Sequence, residues 1–329
     1  MVKLIIDCDT GIDDALALLY ALGSADADML AVTCTSGNIE ARQVATNTRA
    51  LLELVGREDV EVALGREVPL VRPLMIAPET HGPRGIGYAE LPEPKTVLSA
   101  RHSADLIIEE AHRAPGEVTL VTLAPVTNVA VALLREPELP RLLRGLVMMA
   151  GSYRSAGNTA PTTEWNVAVD PEAMQVVLAG WEACDGVRPP IALGLDVTER
   201  AKMTPDHLAL LRTAAGVPPA NAVVTFVEDA LRFYMEFHSR YDGFYGAFIH
   251  DALAVASALD PDLITTESLS VEVELGGRWT TGETVTDWRR SWHRRPNLDV
   301  AVAARVDEFF ERFIGRVGNL AKRVPNVSI

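Results

Sequence analysis

The chain reads as an α/β protein: an open, mostly parallel sheet covered by helices on both faces. Three observations predict this class. Short apolar runs of strand length alternate with helical patterns through the first two thirds of the 329 residues, the rhythm of parallel strands joined by crossover helices. Polar loops follow successive strands, at Ser36-Gly37-Asn38, at Ala124-Pro125-Val126-Thr127-Asn128 and at Gly151-Ser152. Recurrence at one sheet edge is what a single active-site crevice requires.

The first strand is the apolar run Val2, Leu4, Ile5 and Ile6, and a helix follows over 15–22. Buried strands are then predicted at 29–34, 60–64, 118–123, 146–150 and 191–195, with helices at 41–54, 103–112, 129–134 and 172–178 between them. Two segments read as covers: 69–94 is rich in Pro and Gly, and a helical stretch at 221–238 gives way to a Gly- and Tyr-rich 239–246. His250-Asp251 opens a helix through 252–256, and 271–275 and 300–304 read as late strands before a closing helix at 306–317. With no repeat and no flexible linker, residues 1–329 are expected to form one domain.

Size and charge exclude several functions. A hydrophobic fraction of 48% with 23% charged residues is that of a globular protein. The net charge of −15 argues against nucleic acid or an anionic membrane as partner. The single basic, aromatic stretch, Trp288 to Arg295, reads as a solvated loop or subunit contact. Cys8, Cys34 and Cys184 lack metal-ligand spacing and fit reduced thiols. With a functional-looking Asp at residue 7 and no apolar run of transmembrane length, a cytoplasmic location is expected.

The most informative stretch is Asp7-Cys8-Asp9-Thr10-Gly11-Ile12-Asp13-Asp14, where a strand ends at four carboxylates and turns at Gly11 into a helix. Four like charges in eight residues repel unless a cation or a helix N-terminus offsets them. Asp7 and Asp9 leave the same side of the strand, so the cluster reads as a metal cradle. An EF-hand loop fails on spacing, since its Gly stands sixth and its twelfth residue is Glu; here, counting from Asp7, Gly11 is fifth and Leu18 is twelfth. A dehalogenase-type phosphotransferase also opens on strand-Asp-x-Asp. Simple helix capping accounts for Asp13 and Asp14 but not for Asp7 and Asp9.

Two further stretches carry chemistry. In Gly157-Asn158-Thr159-Ala160-Pro161-Thr162-Thr163-Glu164-Trp165-Asn166, amides and a carboxylate suit sugar hydroxyls while the Trp offers an apolar face. Alone it would read as a surface loop. Asp251 alone would read as a helix cap; beside the acidic cluster it becomes a remote ligand, with His250 facing the same cavity.

With these stretches in hand the sequence resembles the nucleoside hydrolase family, the inosine–uridine-preferring enzymes that cleave the N-glycosidic bond of ribonucleosides. The family's Asp-x-Asp-x-Gly-x-Asp-Asp matches Asp7 to Asp14, its Pro-Leu-Thr-Asn loop resembles Pro125 to Asn128, its Gly-Asn…Glu-Phe-Asn segment resembles Gly157-Asn158…Glu164-Trp165-Asn166, and its His-Asp-Pro resembles His250-Asp251-Ala252. The matches run in family order over nearly the whole chain, and the dehalogenase-type reading accounts only for the first. Thr10, Ala124 and Ala252 depart from the usual Pro, Gly and Pro without removing a functional side chain.

The resemblance implies a nucleoside hydrolase-like fold and a bound Ca²⁺ held by Asp9, Asp14, the Leu123 carbonyl and Asp251, all oxygen donors as a hard cation wants. It implies ribose binding by Asp13, Asn38, Asn158, Glu164 and Asn166, with Asp7 orienting Asp9 and its loop. Asp9 is the expected general base, and His250 the expected helper of the leaving base. His81, Trp165, Tyr234 and His238 are expected at the base, a set whose hydroxyl and imidazole groups suit uridine, with inosine the competitor. A homo-oligomer, tetramer or dimer, is implied as well. Two alternatives stand beside hydrolysis. A non-catalytic ribose or nucleoside binder would have no use for a base at a metal-bound water, and phosphorolysis would need an Arg/Lys cluster or glycine-rich phosphate loop near the acidic residues.

Overall fold

The structure, a computed structural model, describes residues 1–216 and 221–324. The strands are β1 (Val2–Cys8), β2 (Ala27–Cys34), β3 (Glu61–Leu64), β4 (Val118–Thr122), β5 (Gly145–Met149) and β6 (Ile191–Leu193). They are followed by β7 (Lys202–Met203), β8 (Ala247–Phe248), β9 (Ile264–Leu269), β10 (Val271–Val273), β11 (Thr284–Thr286) and β12 (Leu298–Ala304). Eight of them form one sheet in the order β3-β2-β1-β4-β5-β6-β12-β9, parallel throughout except for β9 at the edge. The expected mostly parallel sheet is therefore present.

Period-two alternation sends neighbouring side chains of β1 to opposite faces. Leu4, Ile6 and Cys8 enter one apolar core with the helices Ile12–Leu22, His250–Leu259 and Val306–Arg323. Ile5 enters the other, with Ser103–Arg113, Thr127–Arg135 and Pro171–Ala183. Both faces are covered, which is why these strands carry no polar face.

The strand order sets the site. From β1 the chain winds outward through β2 and β3, then returns to β4 on the other side and winds away through β5 and β6. At this reversal the loops after β1 and β4 part and leave a crevice at the carboxyl ends of the strands. Asp7 lies level with Thr122 across that pair, so Asp9 and Leu123 enter the crevice together.

The structure differs from the sequence reading at several elements. The edge strand β9 has no apolar run, because Thr265, Thr266, Glu267 and Ser268 are exposed. The strand expected at 271–275 is a short hairpin of β10 with β11 outside the main sheet. The helix Pro205–Ala215 was signalled by Thr204-Pro205, a capping residue before a Pro at the first helical position. Within the basic stretch, Arg294 pairs Glu182 at 2.9 Å and Arg295 pairs Asp185 at 2.8 Å. No helix among the described residues is long and apolar enough to cross a membrane.

Candidate active site

Asp9 and its neighbours are fixed by the turn after β1. Gly11 is the N-cap of the helix Ile12–Leu22, and the Asp14 carboxylate closes the turn by accepting from the Gly11 N–H at 2.9 Å and the Asp9 N–H at 3.1 Å. Asn38, from the loop after β2, clamps the other side. Its backbone N–H donates to Asp9 Oδ2 at 2.6 Å, and its Nδ2 donates to Asp9 Oδ1 at 3.2 Å and Asp14 Oδ2 at 3.0 Å. Asp7 stays beneath, accepting from Thr33 at 2.6 Å and Asn128 at 2.8 Å, so it ties β1 to β2 and to the helix Thr127–Arg135. Burial pushes the Asp7 carboxyl up to about 7.

Close backbone approach explains two glycines. A Cβ on Gly37 would lie 2.0 Å from Asp9 Oδ2, and one on Gly11 would lie 2.6 Å from both Asn38 Nδ2 and His81 Nδ1. Gly37→Ala must therefore displace the Asp9 carboxylate or the loop. The expected result is a loss of about 1–3 kcal/mol in unfolding free energy with a disproportionate fall in turnover, read by denaturant titration alongside a ribose-release assay. Unchanged turnover would remove the Gly37 loop from the catalytic architecture.

All the site residues expected from the sequence, except Asp9 and Asp14, line one cavity of about 610 Å³. Asp9 and Asp14 are fully buried directly behind it. Carboxylate oxygens of Asp13, Asp14 and Asp251 come within 4.8 Å of one another. Asp13, expected at the ribose, thus joins a carboxylate trio, while Asp9 stands beside it in the grip of Asn38. Leu123 lines the cavity, and its carbonyl oxygen accepts from Asn166 Nδ2 at 2.8 Å.

This donor set fits a hard cation. It is all oxygen, and Asp13 Oδ1 is buried with no hydrogen-bond partner. Burial first and Asp14 second hold Asp9 and Asp13 well above the usual carboxylate range. Asp251 is raised in the same way, by burial and then by Asp13. A divalent cation would remove that repulsion.

The loop after β5 supplies the sugar-like partners. Glu164 caps the short helix Trp165–Val169, its Oε1 accepting from Asn166 N at 2.7 Å and its Oε2 from Gly151 N at 2.9 Å and Val167 N at 3.1 Å. Asn158 Oδ1 accepts from Trp165 N at 2.9 Å, which fixes the Trp at the cavity wall. Asn166 spends its Nδ2 on Leu123 O and Met149 O, leaving Oδ1 for a ligand.

The hydrogen bonds also assign the histidine tautomers. His81 Nδ1 accepts from the Ile12 N–H at 3.1 Å, so the neutral ring carries its proton on Nε2. Thr198 Oγ donates to Gly194 O, so at 2.8 Å it accepts from His250 Nδ1–H and leaves His250 Nε2 as an acceptor. Burial is the main cause that lowers both rings to about 3, so both are neutral near pH 7. His102 and His207 are half-buried and serve helix N-termini.

Sequence reasoning missed Thr198, Asp242, Phe237 and Phe248. Asp242 stands four residues after His238, at the C-cap of the same helix, a spacing that could have exposed the pair. Thr198 lies 52 residues from His250 and gave no signal.

Buried carboxylates, free amide oxygens and neutral histidines gathered over one cavity at the switch point of a parallel sheet define an enzyme for a small, hydroxyl-rich substrate. Residues 4–311 match the family described as inosine-uridine preferring nucleoside hydrolase, and the chain belongs to that family. It is 36% identical over 321 residues to the pyrimidine-specific ribonucleoside hydrolase RihA of Enterobacter sp. (strain 638), covering 97% of this chain and 99% of that protein. It is 37% identical over 315 residues to the inosine-uridine preferring nucleoside hydrolase of Leishmania major, covering 94% of each. The purine-preferring ribonucleoside hydrolase from Gardnerella vaginalis superposes with a TM-score of 0.89 at 31% identity, over 97% of this chain and 99% of that one. The protein is accordingly an N-glycosyl hydrolase acting on ribonucleosides.

Proposed function

We propose that this single-domain protein hydrolyses the N-glycosidic bond of ribonucleosides in a Ca²⁺-dependent reaction, giving free base and ribose, with uridine the preferred substrate and inosine its competitor. The observation that carries this reading is the carboxylate trio of Asp13, Asp14 and Asp251 beneath a cavity lined by Asn38, Asn166, His81 and His250. Relatives named for pyrimidine, inosine-uridine and purine preference share the fold, so the base preference rests on the chain's own Tyr234 and histidines.

Asp14, Asp251, Asp13 or Asp9, and the Leu123 carbonyl would hold the ion. Bound there, calcium would position a water beside the ribose and lower its pKa. Asp9 accepts the proton of the attacking water, and Asn38 keeps its carboxylate oriented. The Asn166 oxygen and Asp13 bind ribose hydroxyls, and the surrounding carboxylates stabilise the positive charge that grows on the sugar as the C1′–N bond breaks. At the base, the tautomers divide the labour. His81 can donate a hydrogen bond from its Nε2–H to the departing base, and His250 takes a second polar edge through its Nε2 lone pair.

Release of reducing sugar from uridine and inosine tests the reading directly; no ribose from any nucleoside would overturn it. The metal assignment has its own test. Purified protein is expected to hold one Ca²⁺ per chain by elemental analysis, and chelation is expected to abolish turnover and lower Tm, because an ion bound only by the folded state stabilises it. Stoichiometric zinc, or a metal-free protein of full activity, would refute the calcium assignment.

A further inference from the structure

His81, Tyr234, His238, Phe248 and His250 form a continuous arc along the cavity wall, with successive ring centroids 5.5, 4.5, 4.8 and 5.6 Å apart. Within the arc, His238 has a carboxylate partner: its Nδ1 lies 2.7 Å from Oδ2 of Asp242, the residue that caps the C-terminus of the helix Ala222–Tyr241. A carboxylate can only accept, so Nδ1 bears the proton and Nε2 presents a lone pair. That Nε2 is buried and has no hydrogen-bond partner, in a side chain only 6% exposed. The rings packed on it are Tyr234, Phe237, Phe244 and Phe248. Tyr234 alone among them carries a donor, and it makes no bond to Nε2. A buried acceptor without a donor is unfavourable until something supplies one.

Resting on the hydrolase reading above, we propose that His238 recognises the nucleobase by accepting a ring N–H at Nε2, with Asp242 as the positioning residue that holds the ring in that tautomer. The substrate class follows from the sign of the contact. Bases with a ring N–H beside a carbonyl, as uracil has at N3 and hypoxanthine at N1, satisfy the lone pair. Adenine at N1 and cytosine at N3 present a lone pair of their own and leave both acceptors unpaired, the kind of mismatch by which polar sites discriminate most strongly. Asp242 itself is 42% exposed at the rim, so it can be replaced with little disturbance to the core.

The experiment compares kcat/KM for uridine, 3-methyluridine and 4-nitrophenyl riboside in the wild type and in His238→Ala, Asp242→Ala and Asp242→Asn. The wild type is expected to favour uridine over its N3-methyl derivative by about ten- to a hundredfold. Both alanine variants should compress that ratio to within about threefold and lose more on uridine than on the nitrophenyl substrate, whose leaving group offers no ring N–H. Asp242→Asn, whose side-chain oxygen still accepts from Nδ1–H, should recover most of the discrimination. In ¹⁵N spectra, His238 should read as the Nδ1–H tautomer in the wild type and shift toward Nε2–H in Asp242→Ala. The proposal is overturned by a uridine to 3-methyluridine ratio that survives His238→Ala, by equal losses on all substrates, or by an Nε2–H tautomer in the wild type. Those outcomes with nitrophenyl riboside still cleaved leave the hydrolase reading standing; failure of the wild type to cleave any riboside removes both.

Discussion

Replacing Asp9 by Asn is expected to lower kcat on uridine by about two to four orders of magnitude, the contribution of a positioned general base, while leaving the fold nearly as stable. The two effects separate for a physical reason. Asp9 is fully buried and accepts from Asn38 at both oxygens. Asn keeps the volume and one acceptor but points an amide at one of those donors, a loss of about 1–3 kcal/mol. Against this, Asn removes one of the charges whose mutual repulsion, after burial, holds Asp9 and Asp13 above the normal carboxylate range. The opposing terms leave a net stability change of about 1 kcal/mol, whereas no amide can take up the proton of a water. Steady-state kinetics on uridine and urea unfolding of the same preparation check both halves. Wild-type turnover would remove Asp9 as the base; a parallel collapse of stability would show that the residue serves the fold.

Much of this arrangement is legible in the sequence because it is local. The turn from β1 into the first helix is written in eight consecutive residues, and Gly11 and Asp14 close it with bonds no more than five residues long. The Glu164 cap and the Asn158 contact to Trp165 are likewise contained in one loop. What the sequence conceals depends on tertiary partners. Nothing near Asn38 tells that its backbone and side chain reach back 29 residues to Asp9. Nothing near His250 tells that Thr198 fixes its tautomer and leaves it an acceptor, or that the Ile12 N–H makes His81 the ring with a hydrogen bond to donate. Fold elements divide in the same way. Strands buried on both faces announce themselves by continuous apolar runs, whereas edge strand β9 carries Thr-Thr-Glu-Ser and is held in place by pairing with β12. The cost of gathering carboxylates is visible at both levels: four in eight residues of sequence, and in space a trio with an unsatisfied oxygen on Asp13.

That oxygen leads to the second large effect. The protein is expected to hydrolyse uridine with kcat/KM about four to five orders of magnitude above that for 2′-deoxyuridine, the range reached by sites built to bond a hydroxyl. Asp13 Oδ1 is buried without a partner, and Asn166, whose Nδ2 is committed to Leu123 O and Met149 O, has an unused oxygen at the cavity wall. Both are acceptors, and ribose hydroxyls are donors that satisfy them. Removing the 2′-hydroxyl leaves those acceptors desolvated and unpaired beneath the bound sugar, so the penalty exceeds the value of one ordinary hydrogen bond. Loss of the same hydroxyl also takes away an oxygen that a bound cation would otherwise use, and the trio of Asp13, Asp14 and Asp251 places the ion's site next to the sugar. The loss should fall on kcat as well as KM, because contacts to the sugar strengthen as positive charge develops on it. Asn166→Ala should shrink the ratio between the two substrates while lowering activity on both, which distinguishes lost recognition from general damage. Comparable efficiency on uridine and deoxyuridine in the wild type would show that these acceptors serve the fold and that the ribose is held elsewhere in the cavity.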